Sequence, residues 1–94
     1  MTKHEIVSEI SAKTGIEKTT ASTVVEGFME SVKRALEDGE NVYLRGFGTF
    51  QLKQRAEKTA RNITKNTTII IPAHNVPVFM ASPEFRQEVS REKE

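Results

Sequence analysis

ENVYLRGFGTFQLKQRA, residues 40–56, is the point at which the apolar period of this 94-residue chain changes from helical to alternating. The stretch is enriched in the Val, Tyr, Leu and Phe that suit a pleated, half-buried surface. It predicts strand–turn–strand, with Arg45-Gly46 near the turn. Gly46 and Gly48 read as turn and close-approach glycines, positions where a side chain would obstruct the backbone. Downstream, Lys53, Arg55, Glu57, Thr59 and Arg61 alternate with Leu52, Gln54, Ala56, Lys58 and Ala60, so the second strand is expected to run well past Leu52. A third strand is expected over 67–79, with Pro72 and Pro77 at edge or bulge positions.

Upstream of Gly39 the period is helical. Thr2-x-x-Glu5 forms a capping box ahead of Ile6, Val7 and Ile10, and Gly15 provides a stop. A second helix is predicted from about Thr19 to Asp38, with Ala21, Val24, Val25, Phe28, Met29, Val32 and Leu36 on its apolar stripe and Gly39 as its left-handed end. At the far end, Ser82-Pro83-Glu84 combines an N-cap, a first-turn proline and an acid facing the positive helix end. The expected class is therefore α+β: an N-terminal helical hairpin, a three-stranded antiparallel sheet extended into a long β-ribbon arm, and a short C-terminal helix.

The arm is the unusual part. Across residues 53–68, KQRAEKTARNITKNTT, the apolar side chains are Ala56, Ala60 and Ile63. Such a segment cannot join a core, and roughly 75 residues remain to build one, a size at which oligomerisation often supplies the missing burial. A strand from Lys53 to Arg61 reaches about 25–30 Å beyond the body. A lone two-stranded ribbon is marginal in water, so the arm is expected to be mobile until a partner orders it.

Charge points to that partner. The overall formal charge is +1, yet residues 1–44 carry five basic and eight acidic side chains, and residues 45–80 carry six basic and one acidic. The positive field belongs to the arm, as expected of a polyanion-binding element. A solvated basic surface with no ligand would have the same composition. Cysteine is absent, which excludes disulfides and thiolate metal sites. His4 and His74 lack the neighbours of a metal site or catalytic pair, and no nucleophile–base constellation appears. Neither an apolar run of membrane-spanning length nor a signal-peptide pattern is present, so a soluble intracellular protein, without cofactor or membrane partner, is expected.

Gly46-Phe47-Gly48-Thr49-Phe50, followed by Arg55 and then Arg61-Asn62, resembles the signature of the bacterial HU and integration host factor family of architectural DNA-binding proteins. The likeness continues through Val76-Pro77-Val78-Phe79 and the last helix. It implies an intertwined dimer, a homodimer or else one half of a heterodimer, whose body comprises residues 1–52 and 73–94 of a single domain spanning 1–94. The arms, about 53–72, would lie in the minor groove of double-stranded DNA, with a tip residue wedged between base pairs to kink it. On this resemblance the DNA-binding residues are Arg61, Asn62, Ile63, Arg55, Lys58, Lys53, Lys65, Arg45, Gly46 and Arg86. Phe47, Phe50, Phe79 and Phe28 are core or dimer-interface aromatics. Lys3 and Glu26 match positions where a surface ion pair can compete with DNA.

The chain departs from the family pattern at three places. Ile63 replaces the proline usual after Arg-Asn, Asn66 replaces the tip glycine, and Ser82-Pro83 replaces a Gly-Lys pair. The implied function is non-enzymatic bending or compaction of a cytoplasmic, nucleoid-associated DNA, largely independent of sequence. The alternatives are a sequence-preferring subunit like integration host factor, or a module whose basic arms grip an acidic protein.

Overall fold

The computed structural model describes residues 1–62 and 64–91, which divide after Ala35 into two compact units. In the first unit, α1 spans Lys3–Thr14 and α2 begins at Lys18, running to Glu37 with its last turn in the second unit. Thr2 caps α1 by accepting from the Glu5 amide at 3.3 Å. The return half of the expected capping box takes a different form: Glu5 Oε1 accepts from the Thr2 hydroxyl at 3.2 Å rather than from its backbone amide. Gly15, at φ 76°, ends the helix and donates to the Ser11 carbonyl at 2.9 Å. Val7 and Ala21 are buried here, whereas Val24, Phe28 and Met29 on the apolar stripe of α2 remain 40–64% exposed.

The second unit holds five strands and a helix. Gly39, at φ 82°, closes α2 by donating to the Leu36 carbonyl at 3.0 Å. A three-stranded antiparallel sheet follows in the order β1 (Val42–Leu44), β2 (Gly48–Arg55), β5 (His74–Ala81), and a second ladder pairs β3 (Lys58–Asn62) with β4 (Thr67–Ile71). Helix α3 covers Pro83–Ser90, with Ser82 Oγ accepting from the Phe85 amide at 3.1 Å.

Both long strands are broken where continuity was expected. Arg55↔His74 is the last pair of the body sheet, and the next is Lys58↔Ile71, after two residues on each strand. The register is the same on either side of the gap, so the ribbon is one hairpin with an interrupted ladder. The cause lies in Pro72, which has no N–H to donate and therefore opens the ladder opposite Ala56-Glu57.

Alternation places Val42, Phe50 and Phe79 on one face of the body sheet, with Leu44, Gly48 and Ala81 as the adjacent row. The Phe79 ring packs at centroid distances of 5.0 Å from Phe47, 4.9 Å from Phe50 and 6.2 Å from Phe85, and Phe47 stacks on Phe85 at 5.2 Å. Offset and tilted pairs of this kind each contribute about 0.5–1.5 kcal/mol beyond their area. The cluster depends on a missing side chain: a Cβ at Gly48 would lie 2.5 Å from the Met80 carbonyl oxygen and 2.6 Å from Phe79 Cζ. Neither the strand backbone nor a packed ring can yield that far. Gly48→Ala should therefore lower the unfolding free energy by about 1–3 kcal/mol in urea denaturation, and a neutral result would contradict this packing.

Candidate nucleic-acid interface

The face of the body sheet opposite the aromatic rings carries Thr49, Gln51, Lys53 and Arg55 on β2 beside Val76, Val78 and Met80 on β5. Two shallow depressions lie on it. One, of about 620 Å³, is lined by Lys53, Arg55, Val78, Met80 and Arg86 among others; the second, of about 490 Å³, by Tyr43, Arg45, Gly46, Met80 and Arg86. Arg86 lines both, which makes them one continuous surface. Its Nε donates to the Ala81 carbonyl at 3.2 Å, which holds the stem, and its terminal nitrogens make no hydrogen bond among the described residues. Gly46 sits at φ 79° in the turn between β1 and β2, where a non-glycine residue would be strained.

Beyond the ladder gap, β3 presents Lys58 and Arg61, both exposed, and the turn at its end presents Lys65. Asn62 shapes that turn. Its Oδ1 accepts from the backbone amides of Thr64 at 3.1 Å and Lys65 at 3.3 Å. Asn66 takes the left-handed conformation at φ 53°, and its Oδ1 accepts from Arg61 Nη2. Ile63, the expected wedge, lies outside the described residues.

The charges segregate sharply. Among the described residues the salt bridges are Lys3–Glu26 at 2.7 Å, Lys13–Glu9 at 2.9 Å and Arg34–Glu30 at 4.0 Å, all on α1 and α2. Arg45, Lys53, Arg55, Lys58, Arg61, Lys65 and Arg86 form none of them. Uncompensated cations on an extended surface attract a polyanion and release its counterions on binding. No group of three His, Asp or Glu side chains that could hold a metal occurs among the described residues, and no helix there is long and apolar enough to cross a membrane.

Comparison with known proteins identifies the architecture. Residues 1–90 match the bacterial DNA-binding protein family. The sequence is 41% identical to the DNA-binding protein HU of Clostridium pasteurianum over 97% of this chain and all of that one. It is 37% identical to the integration host factor alpha subunit of Actinobacillus succinogenes over 99% of this chain and 95% of that one. Superposition on Anabaena HU in its cocrystal structure with DNA gives a TM-score of 0.92 at 34% identity, covering 98% of this chain and all of the other. This chain belongs to the HU and integration host factor family. HU from Thermotoga maritima, at 21% identity and a TM-score of 0.68, shares the fold.

Within this HU-like framework the sheet gathers Arg45, Gly46, Lys53, Arg55 and Arg86, whereas Lys58, Arg61, Asn62 and Lys65 stand on the ribbon. The aromatic cluster takes in Phe47, Phe50 and Phe79; Phe28 belongs to the first unit, where it is 45% exposed. Sequence reasoning missed Tyr43, which is 74% exposed on the same surface as Arg45 and Arg86. The signal available for it was parity, since Tyr43 pairs with Thr49 on the face opposite Phe50. Met80, on that face also, was overlooked for the same reason.

Lys3 and Glu26 do form the ion pair that the resemblance implied. The hydrogen bond from the Lys3 ammonium, and then its charge, hold the Glu26 carboxyl below its ordinary value of 4.5. A folded pKa that is depressed means the pairing operates above that ordinary value and is lost as pH falls through the lowered one. With both side chains half exposed, its effect on stability is small. Titration of the Glu26 carboxyl by NMR should give a midpoint below 4.5 in the wild-type protein, and Lys3→Ala should return it to the ordinary range; equal midpoints would mean the pair does not persist in solution.

Proposed function

We propose that this protein is an architectural DNA-binding protein that acts as a dimer, laying two β3–β4 ribbons in the minor groove and bending or compacting the duplex largely without regard to sequence. The observation that carries this reading is the row of cations, without salt bridges among the described residues, on an extended ribbon with no core of its own. Minor-groove architectural proteins combine such cations with an apolar wedge, and the wider wrapping of protein surface offsets the unstacking. Arg61, Asn62 and Lys58 enter the groove with the ribbon, joined by Lys65 at the turn. Arg45, the Gly46 amide, Lys53, Arg55 and Arg86 hold phosphates against the sheet. Ile63 is the wedge in place of the family proline. Relatives named for DNA binding favour a nucleic-acid partner over an acidic protein, and HU and integration host factor sequences match about equally well. The chain has no enzymatic role and works on the nucleoid in the cytoplasm.

Dimerisation has its own support. Val7, Ala21 and Leu36 are the buried hydrophobic side chains among the described residues, while Phe28, Phe47, Phe79 and Met80 are 40–50% exposed. So little burial does not sustain a chain of this size alone, and a second copy covers the apolar faces. On this reading residues 1–52 and 73–94 form the dimer body and about 53–72 the arm. Sedimentation equilibrium at micromolar concentration should give about twice the 10.6 kDa chain mass; a folded monomer would rule the intertwined dimer out.

Arg61 and Ile63 should fail differently. Arg61→Ala removes a charge, so binding should weaken for every duplex. The log–log salt slope should flatten by about one unit for each phosphate that is no longer neutralised, and the two arms of a dimer double the effect. Ile63→Ala removes no charge and should leave the slope unchanged while reducing the bend read by FRET across an end-labelled duplex. If Ile63→Ala alters neither bend nor affinity, the isoleucine is not the wedge.

A further inference from the structure

The turn at the end of the ribbon holds a side-chain contact that a glycine at position 66 could not make. Asn66 Oδ1 accepts from Arg61 Nη2, bridging the residue just before Asn62 and the residue just before β4. Three features make this contact informative. Arg61 is the last cation of β3, paired across the ladder with Thr68, and it is exposed, so no packing fixes its long stem. Asn66 is already committed to the left-handed region at φ 53°, a conformation asparagine tolerates and most residues do not. The acceptor is also neutral, so the guanidinium keeps its whole charge and most of its five donors.

We propose that Asn66 is a positioning residue for Arg61: it holds the guanidinium at the end of the ribbon, so that the groove-entering cation is presented in a fixed direction before DNA arrives. The inference rests on the reading that Arg61 enters the groove. Binding must otherwise freeze a flexible arginine at the moment of contact, and a side chain ordered in advance avoids most of that entropic cost. Asn62 reinforces the arrangement from the other side. Its Oδ1 is occupied by the Thr64 and Lys65 amides, which closes the turn and leaves the amide nitrogen, a donor, as its remaining polar group. The end of the ribbon thus offers donors, which suit the acceptors lining the floor of the minor groove.

The test is a double-mutant cycle on Asn66→Gly and Arg61→Ala, read by fluorescence anisotropy with a labelled mixed-sequence duplex at several KCl concentrations. Glycine keeps the left-handed turn and removes the acceptor, and the double-mutant cycle separates that loss from the looser backbone glycine brings. Asn66→Gly should weaken binding roughly two- to tenfold, the range for removal of one hydrogen bond, with an unchanged salt slope because no charge is removed. In the Arg61→Ala background the same substitution should cost nothing further. The Arg61 guanidinium N–H NMR signals should broaden and average through solvent exchange in Asn66→Gly, reporting release of the side chain. An equal weakening in both backgrounds would assign Asn66 to turn stiffness and overturn the proposal, as would unchanged or tighter binding by Asn66→Gly. If Arg61→Ala itself leaves binding intact, the groove reading of Arg61 falls and this proposal with it; if only Asn66→Gly is silent, the groove reading stands and this proposal alone falls.

Discussion

The close approach of the Phe79 ring to Gly48 organises the second unit. With no Cβ in the way, the ring lies against the β2 backbone and touches Phe47, Phe50 and Phe85. Those four rings belong to β2, β5, the turn before β2 and α3, so one contact draws four segments together. The Ser82 amide donates to the Phe47 carbonyl at 2.9 Å and locks the start of α3 to the turn. Because Arg45 and Gly46 sit in that turn and Arg86 sits on α3, the same packing sets where the basic side chains of the opposite face stand. An aromatic packing contact thereby positions an exposed electrostatic surface.

Burial is scarce throughout the described residues, and this shapes the division of labour. The ribbon has hydrogen-bonded pairs from Lys58↔Ile71 to Asn62↔Thr67, yet Ile69, Ile70 and Ile71 remain 38–63% exposed along it. Its pairing is therefore unsupported by packing, the condition under which two-stranded ribbons are marginal. A segment built this way can carry a dense row of like charges, because a packed core there would make each cation costly to desolvate. Five acidic side chains instead stand on α1 and α2, where three of them pair with lysine or arginine.

The turn at the ribbon end replaces backbone freedom with side-chain chemistry. A family glycine would supply the left-handed conformation without further contacts; asparagine supplies it and an acceptor as well. Together with the two amide bonds to Asn62, that acceptor gives an otherwise solvated turn a set of internal restraints. The departure from the family residue is thus compatible with the fold and adds a contact to it.

Much of the architecture was legible in the chain because local rules decide it. Thr2 and Ser82 as caps, Gly15 and Gly39 as stops, and Arg45-Gly46 as a turn each depend on one residue's φ range or on partners three or four positions away, and the structure places all of them as expected. Charge asymmetry is likewise a property of the sequence itself, and it located the basic arm before any strand was paired. Tertiary structure alone decided what depends on register. The ladder breaks at residues 56–57 because Pro72 stands opposite them, and Pro72 has no consequence for β2 until that pairing is known. Gly48 is required because Phe79 lies over it, Tyr43 shares a surface with Arg86 because strand β1 of the sheet and helix α3 border the same depression, and Arg61 meets Asn66 because the turn brings them together. The backbone conformation of a residue is set by its neighbours in sequence, whereas the neighbours of a side chain are set by the folded chain.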